Sequence, residues 1–203
     1  MTNPVSDYFQ QGLLALNEGQ YHEAIALLTK AINLSLGDLS EIYLYRGEAH
    51  AYLGQYDDAY EDFNDALREN PFLADAYNER GNILRMRGQH VLAIADYDVA
   101  IQIDPQHFEA YYNRALAYEE KGQYRAAEGD LTTVVTLNPS VAPAYEARGR
   151  IRVLLQDYAG AIADLERYLR MGGGREYDNH SEIQSFIINL RVRRLFRRIL
   201  RRA

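Results

Sequence analysis

The chain has 203 residues, 22 basic and 29 acidic side chains, a formal net charge of −7 and no cysteine. Without cysteine there is neither a disulfide framework nor thiol chemistry, and no run of about 18 apolar residues offers a membrane-spanning helix. The opening Met1-Thr2-Asn3-Pro4-Val5-Ser6-Asp7 has no basic residue and no apolar core, so no signal peptide is expected and the cytoplasm is the default compartment.

Taken in chain order, the first expected helix pair starts near Val5 and carries Tyr8, Gly12, Gly19, Tyr21, Ala24 and Ala31. It ends at Leu36-Gly37-Asp38 without a proline. A fixed interval then takes over. Tyr43, Tyr77, Tyr111 and Tyr145 stand 34 residues apart, within Tyr43-Leu44-Tyr45-Arg46-Gly47, Tyr77-Asn78-Glu79-Arg80-Gly81, Tyr111-Tyr112-Asn113-Arg114-Ala115 and Tyr145-Glu146-Ala147-Arg148-Gly149. Gly54, Gly88 and Gly122 share a second register. Tyr56, Tyr124 and Tyr158 share a third, with His90 in the intervening slot, and Ala59, Ala93, Ala127 and Ala161 a fourth. Pro71, Pro105 and Pro139 close the units.

A glycine between two helical segments, as in Leu53-Gly54-Gln55-Tyr56, supplies a left-handed residue that ends one helix, and Asn-Pro or Asp-Pro ends the next. Each unit is therefore a helix pair. Ala59 and Ala66 lie seven apart on one helix face, which lets neighbouring backbones approach, while Tyr and Leu fill the gaps. No single pair buries enough apolar surface by itself, so stability comes from stacking. Core packing accounts for the tyrosine columns more simply than an aromatic ladder for a ligand does.

These residues resemble the tetratricopeptide repeat, a 34-residue helix–turn–helix with an aromatic, a small residue, a turn glycine, an alanine and a terminal proline in this order. The resemblance covers about residues 5–171 and implies an all-α, right-handed superhelical solenoid with a C-terminal capping helix. Five repeats are expected, at about 5–39, 40–73, 74–107, 108–141 and 142–171. They are followed by a glycine-rich linker at 172–180 and an amphipathic, arginine-rich helix at 181–203. Ala115 departs from the small-glycine slot, Gln156 from the turn glycine and Tyr168 from the late alanine. The last two suggest that the fifth unit meets something other than a sixth repeat.

A second ladder has the same period: Arg46, Arg80, Arg114 and Arg148 on first helices, and Asp62, Asp96, Asp130 and Asp164 sixteen residues later on second helices. The first unit has Gln11 and Leu27 in the two slots, and this joint absence favours pairing inside a repeat. Structural ion pairs are preferred to an anion-binding arginine column.

The resemblance further implies a protein-interaction adaptor that binds through first-helix positions near the repeating aromatic. Here these include Glu41, Tyr45, Glu48, Asp75, Asn78, Glu79, Asn82, Glu109, Tyr112, Asn113 and Arg150. Some chaperone-binding members hold a terminal carboxylate with Lys and Arg, and the matching slots hold Tyr45, Asp75 and Glu79, which argues against such a clamp. The expected ligand is an extended or helical, basic peptide, with the amides of Asn78, Asn82 and Asn113 bonding its backbone. The alternative is an acidic face that serves solubility alone.

After Met171 the chain changes character. Gly172-Gly173-Gly174 reads as a flexible break, and Asn179-His180-Ser181-Glu182 offers an N-cap for a last helix. Ile183, Phe186, Ile187 and Leu190 form one stripe suited to capping the array. Val192, Leu195, Phe196, Ile199 and Leu200 lie about half a turn away, and residues 191–202 hold seven arginines, among them Arg191, Arg194, Arg198 and Arg201, with no acid. Residues 1–174 hold 14 basic against 26 acidic side chains, so pairing with protein, including a second copy, is favoured for this tail. Contact with an anionic membrane surface and then with nucleic-acid phosphates are the alternatives.

Catalysis is not expected. His22, His50, His90, His107 and His180 are scattered without metal-ligand spacing, and no phosphate-binding or dinucleotide glycine motif is present. No metal and no cofactor are called for.

Overall fold

The computed structural model describes residues 4–35, 37–176 and 178–200, the last five of these by backbone alone. Twelve helices occur among the described residues. The chain divides into two compact units, residues 1–107 and 108–203. In the first, α1 (Pro4–Asn17) pairs with α2 (Tyr21–Leu34), α3 (Ser40–Tyr52) with α4 (Tyr56–Glu69), and α5 (Ala74–Met86) with α6 (His90–Ile103). In the second, α7 (Phe108–Glu120) pairs with α8 (Tyr124–Leu137) and α9 (Ala142–Leu154) with α10 (Tyr158–Arg170). The short α11 (Gly173–Glu176) then leads to α12 (His180–Leu200).

One turn closes every pair. Gly54 N–H donates to Ala51 O and Gln55 N–H to His50 O, the two bonds of a Schellman cap, with Gly54 at φ +73°. Equivalent bonds occur at Gly19, Gly88 and Gly122. Gln156 makes the same turn at φ 65°, so the loss of the glycine leaves the geometry unchanged and places a side chain in the left-handed region. Between pairs, the Asn70, Asp104 and Asn138 side chains each accept from the backbone N–H two residues on, across the intervening proline. The join after α2 lacks proline, and there Asp38 Oδ1 accepts from Ser40 N–H at 2.8 Å.

The core follows the repeat columns. Ala24, Ala59, Ala93, Ala127 and Ala161 are fully buried. A Cβ on Gly81 would lie 2.6 Å from the Tyr97 ring and one on Gly47 2.7 Å from Phe63, so these glycines exist because a large ring presses on the first helix. Where the facing residue is Leu131 instead of a ring, Ala115 is accommodated.

The arginine and aspartate ladders meet inside each repeat. Arg46, Arg80, Arg114 and Arg148 each donate through Nε and Nη2 to both oxygens of Asp62, Asp96, Asp130 and Asp164, at 2.6–2.9 Å. Each guanidinium also lies 5.4–5.7 Å from the ring centre of the tyrosine three residues before it. A third bond ties repeats together: Arg46 Nη1 reaches Thr29 at 3.1 Å, Arg80 Nη1 reaches Asn64 at 2.8 Å and Arg148 Nη1 reaches Thr132 at 3.3 Å.

The glycine run departs from its reading as a flexible break. Gly173 and Gly174 are buried within α11, and a Cβ on Gly173 would lie 2.1 Å from the Tyr168 ring. The reason is steric: Tyr168, in place of a small residue, is itself 2 % exposed and needs that space. Asn179 Oδ1 accepts from the Tyr168 hydroxyl at 3.2 Å. α12 packs on α10 through Ile183, Ile187 and Leu190, covering the end of the second unit.

Candidate functional site

In the first unit the first helices are neighbours, α1 beside α3 and α3 beside α5. Helical spacing places Tyr45, Glu48 and Tyr52 along one side of α3, and Asp75, Glu79, Asn82 and Met86 along one side of α5. Between them opens a cavity of about 370 Å³ lined by Glu48, Tyr52, Tyr56, Glu79, Asn82 and Met86, among others. Tyr52 and Met86 stand exposed at its edge, and Tyr52 stacks on Tyr21 at 4.7 Å between ring centres.

Glu79 is held by amides. Asn78 Nδ2 donates to its Oε1 at 2.8 Å and Asn82 Nδ2 to its Oε2 at 3.2 Å, while the Tyr97 hydroxyl donates to Asn82 Oδ1 at 2.8 Å. The expectation that Asn78 and Asn82 offer their amides to a peptide backbone is thereby corrected. Asn78 is buried, and both side chains are turned to Glu79 because that half-buried carboxylate needs donors.

The face is electrostatically strained towards negative. Burial, then Glu79 and Asp75, push the Glu48 carboxyl up to about 7. Burial also pushes Glu79 up, against the bonds from Asn82 and Asn78. The Tyr45 hydroxyl is raised by burial and by Glu48, Glu41 and Asp75. Among the described residues, no Lys or Arg of the chain pairs with Glu48 or Glu79. Asp75 differs: His107 Nε2 lies 3.1 Å from its Oδ1, and the imidazole beside it holds the carboxyl below its ordinary value. Glu41 lines a separate opening of about 450 Å³ with Phe9, Ile42 and Leu73.

His107 was missed as part of this face. Its signal lay in a column that otherwise reads Leu39, Leu73 and Val141, where a polar residue needs a partner.

In the second unit, Arg150 Nη2 donates to Glu119 Oε1 at 2.7 Å, and its Nη1 lies 3.6 Å from Glu146 Oε2. Burial raises the Glu146 carboxyl while Arg150 opposes the shift. Tyr112 lines an opening of about 430 Å³ with Pro143, Glu146 and Arg150. Arg150 thus neutralises acids here, and this face is less acidic than that of the first unit. Glu109 is exposed in the first turn of α7, and Asn113 is half-buried on the same helix.

On α12, Arg191 Nη2 donates to Glu166 Oε1 at 2.6 Å, while Arg194 and Leu195 are exposed. The side chains of Phe196, Arg198 and Ile199, and the whole of Arg201, lie outside the described residues. Also among the described residues, no helix is long and apolar enough to cross a membrane and no cluster of His, Asp and Glu is arranged to hold a metal ion.

Stacked helix pairs with a covered final face and polar first-helix surfaces define an α-helical repeat protein of the protein-interaction class. Tetratricopeptide-repeat models match residues 8–38, 40–73, 81–122 and 112–176, and the chain belongs to that family, a scaffold family that is typically non-catalytic. Over 78 residues, 38 % of the chain, it is 33 % identical to the heat shock protein STI1 of Saccharomyces cerevisiae, and it spans only 13 % of that protein's length. Its fold is similar to MamA of Desulfovibrio magneticus RS-1, with a TM-score of 0.73 at 23 % identity, covering 86 % of this chain and 98 % of the other. It is also similar to YrrB, described as a TPR protein with an unusual peptide-binding site, with a TM-score of 0.66 at 19 % identity over 86 % of this chain and 90 % of the other.

Proposed function

We propose that this protein is an adaptor whose acidic first-helix face in residues 1–107 receives a basic segment of another protein. The observation that carries this reading is the pair Glu48 and Glu79 beside one cavity, with no Lys or Arg of the chain paired with either among the described residues. A carboxylate raised by burial and by neighbouring carboxylates gains most from an incoming guanidinium or ammonium group. Tyr52 and Met86 add exposed apolar surface against which the stem of a Lys or Arg side chain packs. The repeats we infer run over about 5–39, 40–73, 74–107, 108–141 and 142–171. The peptide-binding site named for YrrB supports a ligand of this kind by likeness of fold alone.

The test is a titration with a labelled oligo-arginine peptide and, in parallel, an oligo-glutamate peptide of equal length. Saturable binding of the first only, weakened about tenfold by Glu48→Gln, is the expected result; tenfold corresponds to about 1.4 kcal/mol. Equal binding of both peptides, or binding indifferent to Glu48→Gln, overturns the reading. α12 carries a second contact surface, with Ile188, Val192 and Leu195 exposed beside Arg191, Arg193 and Arg194.

A further inference from the structure

We propose that the arginine-rich end of α12 docks on the acidic first-helix face of residues 1–107 in a second copy of this chain. The inference rests on the reading of that face as a receptor for basic segments and names the segment.

α12 has two apolar stripes on opposite sides. Ile183, Ile187 and Leu190 are spaced by four and three residues and are buried on α10. Ile188, Val192 and Leu195 repeat the same spacing and are 58 %, 47 % and 59 % exposed. At 100° per residue the second stripe is centred well over a third of a turn from the first, so one surface cannot cover both. The packing on α10 ends at Leu190, and the Arg191–Glu166 pair marks its border. From there to residue 202 the chain adds seven arginines and no acid. A stripe of this spacing on a basic helix is the pattern of a helix that lies in a groove.

The acidic face matches it in both chemistries. Glu48 and Glu79 complement the arginines, and Tyr52 (67 % exposed) and Met86 (53 %) complement the apolar stripe. Arginine over tyrosine is a contact that each Arg of the internal ion-pair ladder already makes. Charge also decides against the other surfaces a basic helix could meet. With a net charge of −7, and 26 acidic against 14 basic residues in 1–174, the remainder of the chain is repelled by an anionic bilayer or by nucleic-acid phosphates. A second copy offers the opposite sign. α12 runs unbroken from His180 to Leu200, so the helix continues about ten residues beyond its anchor on α10, which ends at Leu190.

The experiment is sedimentation velocity on the full chain over a wide concentration range at low and high salt, with two charge variants built on exposed side chains: Arg193→Glu with Arg194→Glu, and Glu41→Lys with Asp75→Lys. The expected result is concentration-dependent association that weakens at high salt, weakens by about tenfold or more in each variant alone, and returns when the two variants are mixed. Circular dichroism on each variant establishes that its helices are intact. A wild-type chain that stays monomeric at every concentration overturns the inference, as does association that survives in both variants. Binding of the wild-type chain to phosphatidylserine vesicles, lost with Arg193→Glu and Arg194→Glu while the chain stays monomeric, also overturns it and assigns the tail to membranes. A monomer that still binds oligo-arginine leaves the receptor reading standing and removes only the tail as its ligand; a monomer that does not bind it removes both.

Discussion

The ring of Tyr168 occupies the volume that any side chain on Gly173 would need, with Cε2 2.1 Å from the position of a Cβ there. Tyr168 stands where earlier units carry the small buried residues Ala66, Ala100 and Val134, and it packs with Ile183, Ile187 and Leu190 of α12. The large side chain and the glycine are therefore one device that seats the final helix.

Gly173→Ala should destabilise the C-terminal end by about 1–3 kcal/mol, the usual cost of overpacking a filled core. Hydrogen exchange should show the loss concentrated in α11 and α12, with α3 to α6 unchanged. Tyr168→Phe keeps the ring and gives up the hydroxyl with its bond to Asn179, and should cost about 1 kcal/mol.

Asp96→Ala strands the largely buried Arg80, which keeps only its bond to Asn64 and the Tyr77 ring. Breaking such a pair from one side costs about 3 kcal/mol, whereas replacing both partners by leucine should cost clearly less, because no unpaired charge is left behind. Urea denaturation of the two variants checks the order.

Glu48 sets a pH dependence with a definite sign. Its folded value, about 7, lies above its ordinary 4.5, so the folded protein binds this proton more tightly than the unfolded chain. The stability it confers is full below the ordinary value, falls as pH rises through the window up to about 7, and is flat above. Glu48→Gln should therefore gain on the parent protein across that window, levelling near 1–3 kcal/mol at higher pH, as read by paired denaturation curves. A bound cation favours the ionised carboxyl, so oligo-arginine should bind more tightly at about pH 8 than at about pH 6, and this difference should vanish in Glu48→Gln.

His107→Leu restores the apolar residue found at Leu39, Leu73 and Val141 and removes the imidazole whose approach lowers Asp75. The Asp75 carboxyl should rise towards its ordinary 3.8, followed by carbon-13 NMR titration of the side chain. An unchanged Asp75 titration would show that the pair with His107 does not form in solution.

Much of this architecture is legible in the residues themselves. Tyr, Gly, Ala and Pro recur at 34 because each repeat faces an identical neighbour, so one set of constraints is printed several times over. The partnership of Arg80 with Asp96 is readable for the same reason, since both slots are filled together and, in the first unit, emptied together. The face residues are less so. That Asn78 and Asn82 turn to Glu79 depends on which neighbour wins a hydrogen bond, and the choice follows from burial, which has no period of its own. The run Gly172-Gly173-Gly174 reads as slack in isolation and becomes packed only because Tyr168 comes back against it.

The helix pairs, their turns, the internal ion-pair ladder and the division of charge between an acidic body and an arginine-rich end follow from spacing and residue type, and so are written in the order of the residues. Which carboxylates lie without a paired Lys or Arg among the described residues, which amides are engaged with Glu79, and which side of α12 is covered emerge only once the chain has folded. Those outcomes depend on how near two helices bring groups that are distant in sequence, and it is that proximity that raises Glu48, lowers Asp75 and leaves Ile188, Val192 and Leu195 exposed.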